Sequence, residues 1–221
     1  MNTNVKVALV FSGAIVLIVI AFIVVAILQA QPPSPETEGS PAPPAASAIR
    51  EDSHILDDGG AGAVTVVEFL DFECEACGAF YPVVEDLRAE FSGQITFAIR
   101  YFPLPGHFNS KNAAIAVEAA FQQGQLEAMY KRMFETQAEW GEAQESRAAL
   151  FRQFAEELGL DLAEYDAAVA DPATAERVQS DFDDGVALGV GSTPTFFVND
   201  RMVQLTSFDD LREAIEAELG R

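Results

Sequence analysis

The chain of 221 residues contains two cysteines, and they stand only three positions apart, in Cys74-Glu75-Ala76-Cys77. With no other cysteine, a long-range disulfide within the chain is impossible. Two chemistries use C-x-x-C. In thiol–disulfide exchange one thiolate attacks and the other resolves; in a zinc site the pair supplies half of a tetrahedral ligand set. Zinc needs two more ligands, and beyond the cysteines only His54 and His107 offer imidazole, neither in a recognisable ligand motif. No metal and no cofactor is therefore expected. An inert buried pair is the third reading. Exchange through a Cys74–Cys77 disulfide is the one the surrounding residues favour.

Those residues must form a strand leading into a helix. Ala63 to Phe72 carries Val64, Val66, Val67, Phe69, Leu70 and Phe72 with little polar alternation, the mark of a strand buried on both faces. From Cys74 to about Phe91, the apolar residues Cys77, Phe80, Val84, Leu87 and Phe91 recur at spacings of three and four, which predicts an amphipathic helix, with Pro82 inside it. The first turn of a helix has unpaired N–H groups and a partial positive charge, so a thiolate at Cys74 is stabilised and its pKa should fall. Cys77 falls on the inward face. Cys74 is thus the exposed sulfur that forms mixed disulfides, and Cys77 the shielded one that resolves them. Glu73 and Glu75 flank the thiolate and should oppose its formation, so Glu75 and Ala76 tune the pair.

Glu68 is a carboxylate within the apolar strand. Burial would raise its pKa and make it a proton carrier near neutral pH; the alternative is that it reaches solvent at a sheet edge. His107, after Pro105-Gly106, is a candidate base or simply a loop residue, and Trp140 reads as core. In Gly191-Ser192-Thr193-Pro194-Thr195, Pro194 directly before a strand suits a tight turn; spacing alone leaves trans as the expected peptide bond.

The remaining elements follow from periodicity and punctuation. Short strands are expected at Ser53–Leu56 and Gln94–Phe102. Helices are expected from Asn109 or Ser110 to Gly124, from Leu126 to about Gln137, after a Ser146 cap, from Leu162 to Val169, and from Pro172 to about Gly189. Thr195–Val198 and Met202–Leu205 read as a hairpin turning at Asn199-Asp200, and Phe208–Leu219 as a closing helix. A βαβ unit followed by a ββα unit gives an α/β fold: one mixed sheet flanked by helices, with an all-helical insertion at about residues 108–185.

Ahead of this domain, Val7 to Leu28 is uncharged and roughly 22 residues long, against about 20 needed to span a bilayer as a helix. A cleaved signal peptide is the alternative, but its apolar region is usually shorter. Lys6 precedes the segment and no cation follows it until Arg50, so residues 1–6 are expected in the cytoplasm and the rest outside. Residues 29–49 hold Pro32, Pro33, Pro35, Pro41, Pro43 and Pro44, and read as a Pro-rich linker to a domain at 50–221. All 35 acidic residues lie beyond residue 31, against 13 cations in the whole chain, and such a surface repels nucleic acid phosphates, which excludes a nucleic-acid role.

Taken together, these residues resemble the DsbA-like branch of the thioredoxin superfamily, in its membrane-anchored bacterial form, over about residues 52–219. The carriers are Val67-Glu68-Phe69 with Cys74-Glu75-Ala76-Cys77, Phe102-Pro103-Leu104 with His107, Ala113-Ala114 and Ala119-Ala120, and Val190-Gly191-Ser192-Thr193-Pro194-Thr195-Phe196. The resemblance implies a thioredoxin fold and a monomer. It also implies a cis Thr193–Pro194 bond facing the disulfide, with the Thr193 backbone binding extended client chains that carry thiols. Glu68 matches the family's buried carboxylate and Pro82 its helix-kinking proline. The implied partner is a quinone-linked membrane reoxidant, DsbB-like or vitamin-K-epoxide-reductase-like (VKOR-like). The chain departs from the best-known oxidases in two places. Glu75-Ala76 stands where those have Pro-His, which leaves open whether the chain makes disulfides or reduces them. Asn199-Asp200 stands where Asn-Gly is frequent. A non-catalytic peptide-binding or chaperone module is the reading of another class; an isomerase lacks a visible dimerisation domain.

Overall fold

The computed structural model describes residues 47–221. The apolar segment Val7–Leu28 and nearly all of the Pro-rich stretch lie outside the described residues, and among the described residues no helix is long and apolar enough to cross a membrane.

The strands are β1 (His54–Asp57), β2 (Val64–Leu70), β3 (Ile95–Tyr101), β4 (Thr195–Val198) and β5 (Arg201–Met202). They form a five-stranded sheet in the order β1-β3-β2-β4-β5. β2 runs parallel to β3, while β1 on β3, β4 on β2 and β5 on β4 are antiparallel. The parallel pair needs a crossover, and helix α1 (Glu75–Glu90) supplies it. The expected thioredoxin architecture is therefore present. β2 is interior, paired on both edges, which fits a sequence that is apolar apart from Thr65 and Glu68.

Between β3 and β4 lie α2 (Ser110–Phe121), α3 (Leu126–Glu135), α4 (Gln137–Trp140), α5 (Ala148–Glu157), α6 (Leu162–Ala170) and α7 (Pro172–Ala187); α8 (Asp210–Glu218) closes the chain. This is the helical insertion read from the sequence, with some boundaries moved. The segment expected as one helix from Leu126 to Gln137 breaks at Thr136, whose hydroxyl donates to the Arg132 carbonyl at 2.7 Å, and Gln137 starts a separate short helix. Asn109 precedes α2 without capping it through its side chain. Its amide instead donates to the Ala143 and Glu145 carbonyls and accepts from Arg147 N–H at 2.7 Å, tying the loop before α2 to the loop before α5. Strand β5 is shorter than the expected Met202–Leu205, because Asp210 captures the Thr206 and Ser207 N–H groups and turns the chain toward α8. Asn199 and Asp200 both adopt positive φ, 47° and 61°, as the hairpin turn requires.

The fold begins before residue 50. Ala48 is buried among Val67, Phe69, Phe102, Val190 and Phe197, and both Ala48 N–H and Ser47 Oγ donate to Asp200 Oδ1. The last residues assigned to the linker therefore belong to the domain.

Candidate active site

Cys74 is the N-cap of α1, with extended backbone (φ −71°, ψ 121°), where the chain leaves the β2 turn. Its N–H donates to the Asp71 carbonyl at 3.1 Å, and the N–H of Gly78 closes the first helical bond onto its own carbonyl at 3.1 Å. Both cysteines are free thiols. Both are buried, so Cys74 is not the exposed sulfur expected: it keeps 6% of its surface, because the Thr193-Pro194 loop packs over it, and Cys77 keeps none. The Cys77 thiol donates to the Cys74 sulfur; together with Thr193 and the N–H groups of Cys77 and Ala76, this outweighs burial and brings the Cys74 pKa down to about 6. Burial and the same contact push Cys77 well above the usual thiol value. At neutral pH the pair is thus one thiolate and one thiol.

The Thr193–Pro194 peptide bond is cis, and Cys74 Sγ lies 3.4 Å from the Thr193 carbonyl oxygen. The β2–β4 pairing brings them together: Glu68 sits opposite Phe196 and Phe69 opposite Thr195, so the loop before β4 ends where β2 delivers its cysteine. Phe80, three residues beyond Cys77, packs on Phe196 (ring centroids 5.6 Å apart) and on exposed Phe208 (4.7 Å), leaving apolar surface beside that loop.

Glu68 lies in the sheet interior, 2% exposed, so it does not reach solvent at an edge. Its Oε2 has no hydrogen-bond partner. Burial first, then the charges of Glu85 and Cys74, raise its pKa to about 8 against the opposing pull of Arg88. It therefore carries a proton at neutral pH on the same side of β2 as the cysteine pair, and it contributes to raising Cys77.

A family model described as Thioredoxin matches residues 60–217. The chain belongs to that family. Among solved structures this thioredoxin-family chain is similar to a thioredoxin-like oxidoreductase from Silicibacter pomeroyi DSS-3 (TM-score 0.66, 25% identity, 81% of this chain and 99% of that one). It is also similar to BdbD from Bacillus subtilis (TM-score 0.67, 23% identity, 76% and 94%) and to alpha-DsbA1 from Wolbachia pipientis (TM-score 0.67, 18% identity, 78% and 93%). Curated relatives include a Na(+)/H(+) antiporter NhaA from Herminiimonas arsenicoxydans, 37% identical over 145 residues, which are 64% of this chain and 21% of that protein. The chain thus spans about a fifth of the length of the curated relatives it matches.

Two residues around the thioredoxin-type pair, Asp71 and Gln137, escaped the sequence reading, and Glu73 is placed differently from what it expects. Asp71 is buried; its Oδ1 accepts the Glu73 N–H at 2.9 Å, and its Oδ2 accepts the Leu104 N–H at 3.0 Å and lies 2.6 Å from His107 Nδ1. Glu73 is buried too, and its Oε2 accepts the Asn109 N–H at 2.6 Å. It holds a loop rather than facing the thiolate, so only Glu75 of the two flanking carboxylates is left on the surface. Gln137 donates through Nε2 to the carbonyls of Phe72 and Cys74, both at 2.8 Å. Gly78 makes room for it, since a Cβ there would stand 2.0 Å from Gln137 Oε1. Asp71 carried a signal, as a carboxylate adjoining an apolar strand; Gln137 carried none. Glu75 interacts with Glu142, which holds Glu75 below and Glu142 above the ordinary carboxyl range, and Glu75 is not among the main influences on Cys74. Trp140 is fully buried against Phe151, as core. His54 lies 2.6 Å from Glu118 in the interior, and among the described residues no group of three or more His, Cys, Asp or Glu could hold a metal ion.

Proposed function

We propose that this chain is an extracytoplasmic thiol–disulfide oxidoreductase that introduces disulfides into secreted or cell-surface proteins through Cys74 and Cys77. The observation that carries the reading is the stabilised thiolate at Cys74, at the start of α1 and beside the Thr193 carbonyl, with Cys77 protonated and buried behind it. A low thiolate pKa stabilises the reduced enzyme, and that makes its disulfide an oxidant. The chemistry follows in two exchanges. A client thiolate attacks Cys74 Sγ of the enzyme disulfide; the client S–S(Cys74) bond forms, the S–S bond to Cys77 breaks, and Cys77 leaves with the electron pair. Glu68, protonated at neutral pH, supplies the proton that Cys77 takes up, and recovers one from solvent. A second client thiolate then attacks the first client sulfur, and Cys74 departs as a thiolate. Two client thiols are oxidised and the enzyme disulfide is reduced.

In this reading the Thr193-Pro194 loop receives an extended client backbone, and Val7–Leu28 tethers the domain outside the cytoplasmic membrane, at the end of a Pro-rich spacer. Reoxidation is assigned to a quinone-linked membrane partner of the DsbB-like or VKOR-like type, and the enzyme acts as a monomer. Similarity to the thioredoxin-like oxidoreductase from Silicibacter pomeroyi supports the activity class. One observation favours a reductase instead: Glu75, exposed and negative in the dipeptide, where an oxidant gains from a neutral or cationic residue.

The test is oxidation of a dithiol peptide by the wild type and by Cys74→Ser. Turnover should vanish in the variant. Turnover that survived the substitution would contradict the reading, and a wild type that bound the peptide without oxidising it would assign the domain to peptide binding.

A further inference from the structure

The dipeptide Glu75-Ala76 supplies no cation to the Cys74 thiolate. A histidine able to supply one lies in the next loop. The loop between β3 and α2 is stitched to the three residues before Cys74 by hydrogen bonds on both sides of His107. Leu104 N–H donates to Asp71 Oδ2 at 3.0 Å, and Asn109 N–H donates to Glu73 Oε2 at 2.6 Å. His107 itself is held through Nδ1, 2.6 Å from Asp71 Oδ2, with a quarter of its side chain exposed. Asp71 in turn accepts the Cys74 N–H through its backbone carbonyl. One buried residue thus fixes both the cysteine turn and the imidazole.

We infer that His107, oriented by Asp71, is a positioning residue for exchange: its imidazolium is the cation that supports the Cys74 thiolate as it leaves a mixed disulfide. This deepens the disulfide-exchange reading and rests on it. The leaving step is the second exchange above, in which the S–S bond to the client breaks and the electron pair remains on Cys74 Sγ. A positive charge nearby lowers the energy of that anion. The groups around His107 favour its protonated form. Asp71 and Glu73 come from the β2–α1 turn, Cys74 and Glu75 from the start of α1, and Glu142 from the segment after α4. Burial opposes protonation, but the Asp71 hydrogen bond and the charges of Asp71, Cys74 and Glu73 prevail, and the imidazole pKa is raised. With Nδ1 engaged by Asp71, Nε2 is the nitrogen left for solvent or client.

Two measurements test this without a client. Thiolate absorbance near 240 nm gives the Cys74 pKa in reduced wild type and in His107→Gln, which keeps a donor for Asp71 and loses the charge. The variant pKa should rise by about one unit. The His107 pKa, followed by NMR of its ring protons in reduced wild type and in Cys74→Ser, should fall by a similar amount when the thiolate is removed, since coupling is reciprocal. An unchanged Cys74 titration in a folded His107→Gln protein overturns the inference. So does a His107 pKa equal in wild type and Cys74→Ser, which reads out even if His107→Gln fails to fold. A wild type that shows the coupling but does not oxidise a dithiol peptide would refute the disulfide-exchange reading and, with it, the role of His107 in exchange, leaving only the charge pairing.

Discussion

Two charges buried on opposite faces of the central sheet, Arg100 and Glu68, are answered in opposite ways. Phe69 and Arg100 are register neighbours on β2 and β3, and the Arg100 guanidinium lies 5.1 Å from the Phe69 ring centre, so both point to the face that carries α7. Glu68, one residue earlier, points to the other face. Arg100 is fully buried yet fully answered. Its Nε donates to Asp181 at 2.8 Å, it pairs with Asp184, and its Nη1 donates to the carbonyls of Ser47 and Ala48. Asp181 also accepts the Tyr101 N–H at 3.2 Å and pairs with Arg177 at 2.7 Å. Glu68, equally buried, has an oxygen with no partner. The compensated arginine fastens the segment at residues 47–48 to the sheet. Uncompensated charge takes up a proton, and that proton is what exchange chemistry can use.

Substitutions should therefore have opposite signs on the two faces. The largest effect is expected from Asp181→Ala, which leaves Arg100 buried with one partner gone. It should destabilise the fold by about 3–5 kcal/mol in urea unfolding, with the Cys74 pKa unmoved. Glu68→Gln should stabilise. Glu68 holds its proton in the fold up to about pH 8, while the ordinary value is 4.5. Between those values the folded state binds more protons than the unfolded one, so wild-type stability falls as pH rises. The variant should gain on wild type across that window by roughly 1.4 kcal/mol per pH unit, a gain measurable by unfolding at several pH values, while its exchange turnover slows. A variant less stable than wild type at pH 7 would place a hidden partner at Glu68.

Smaller effects refine the active-site face alone. Gly78→Ala should displace Gln137 from the carbonyls of Phe72 and Cys74 and cost about 1–2 kcal/mol, with Gln137→Ala matching it. The smallest effect is expected from Glu75→Gln. The carboxylate is exposed and paired with Glu142, so the Cys74 pKa should drop by only a few tenths of a unit. A drop of a full unit would restore Glu75 as the main brake on the thiolate.

How far each face could be read in advance follows from the range of its interactions. The active-site face is built from local signals: a strand, a C-x-x-C at a helix start, a carboxylate out of place at Glu68, a Thr-Pro before a strand. Each constrains its neighbours within a few residues, so the elements and the place of the cysteines at a helix start were legible. Glu73 was misjudged because its direction depends on Asn109, which chain order does not bring near. Gln137 and Asp71 matter for hydrogen bonds made 33 to 65 residues away. The Arg100–Asp181 pair spans 81 residues. An arginine in a strand and an aspartate in a helix look like ordinary surface residues until the sheet and α7 meet. The early start of the domain was hidden for the same reason, since Ala48 is buried by strands that come later in the chain.

The central claim is that the fold stabilises Cys74 as a thiolate and so makes the Cys74–Cys77 disulfide an oxidant. Equilibrating the pair with a series of glutathione buffers tests it most directly. With Cys74 at about 6, against about 7 in thioredoxin and about 3.5 in DsbA, the potential should lie above thioredoxin's roughly −270 mV and below DsbA's roughly −120 mV. A potential at or below about −270 mV would contradict the account and make the chain a reductase.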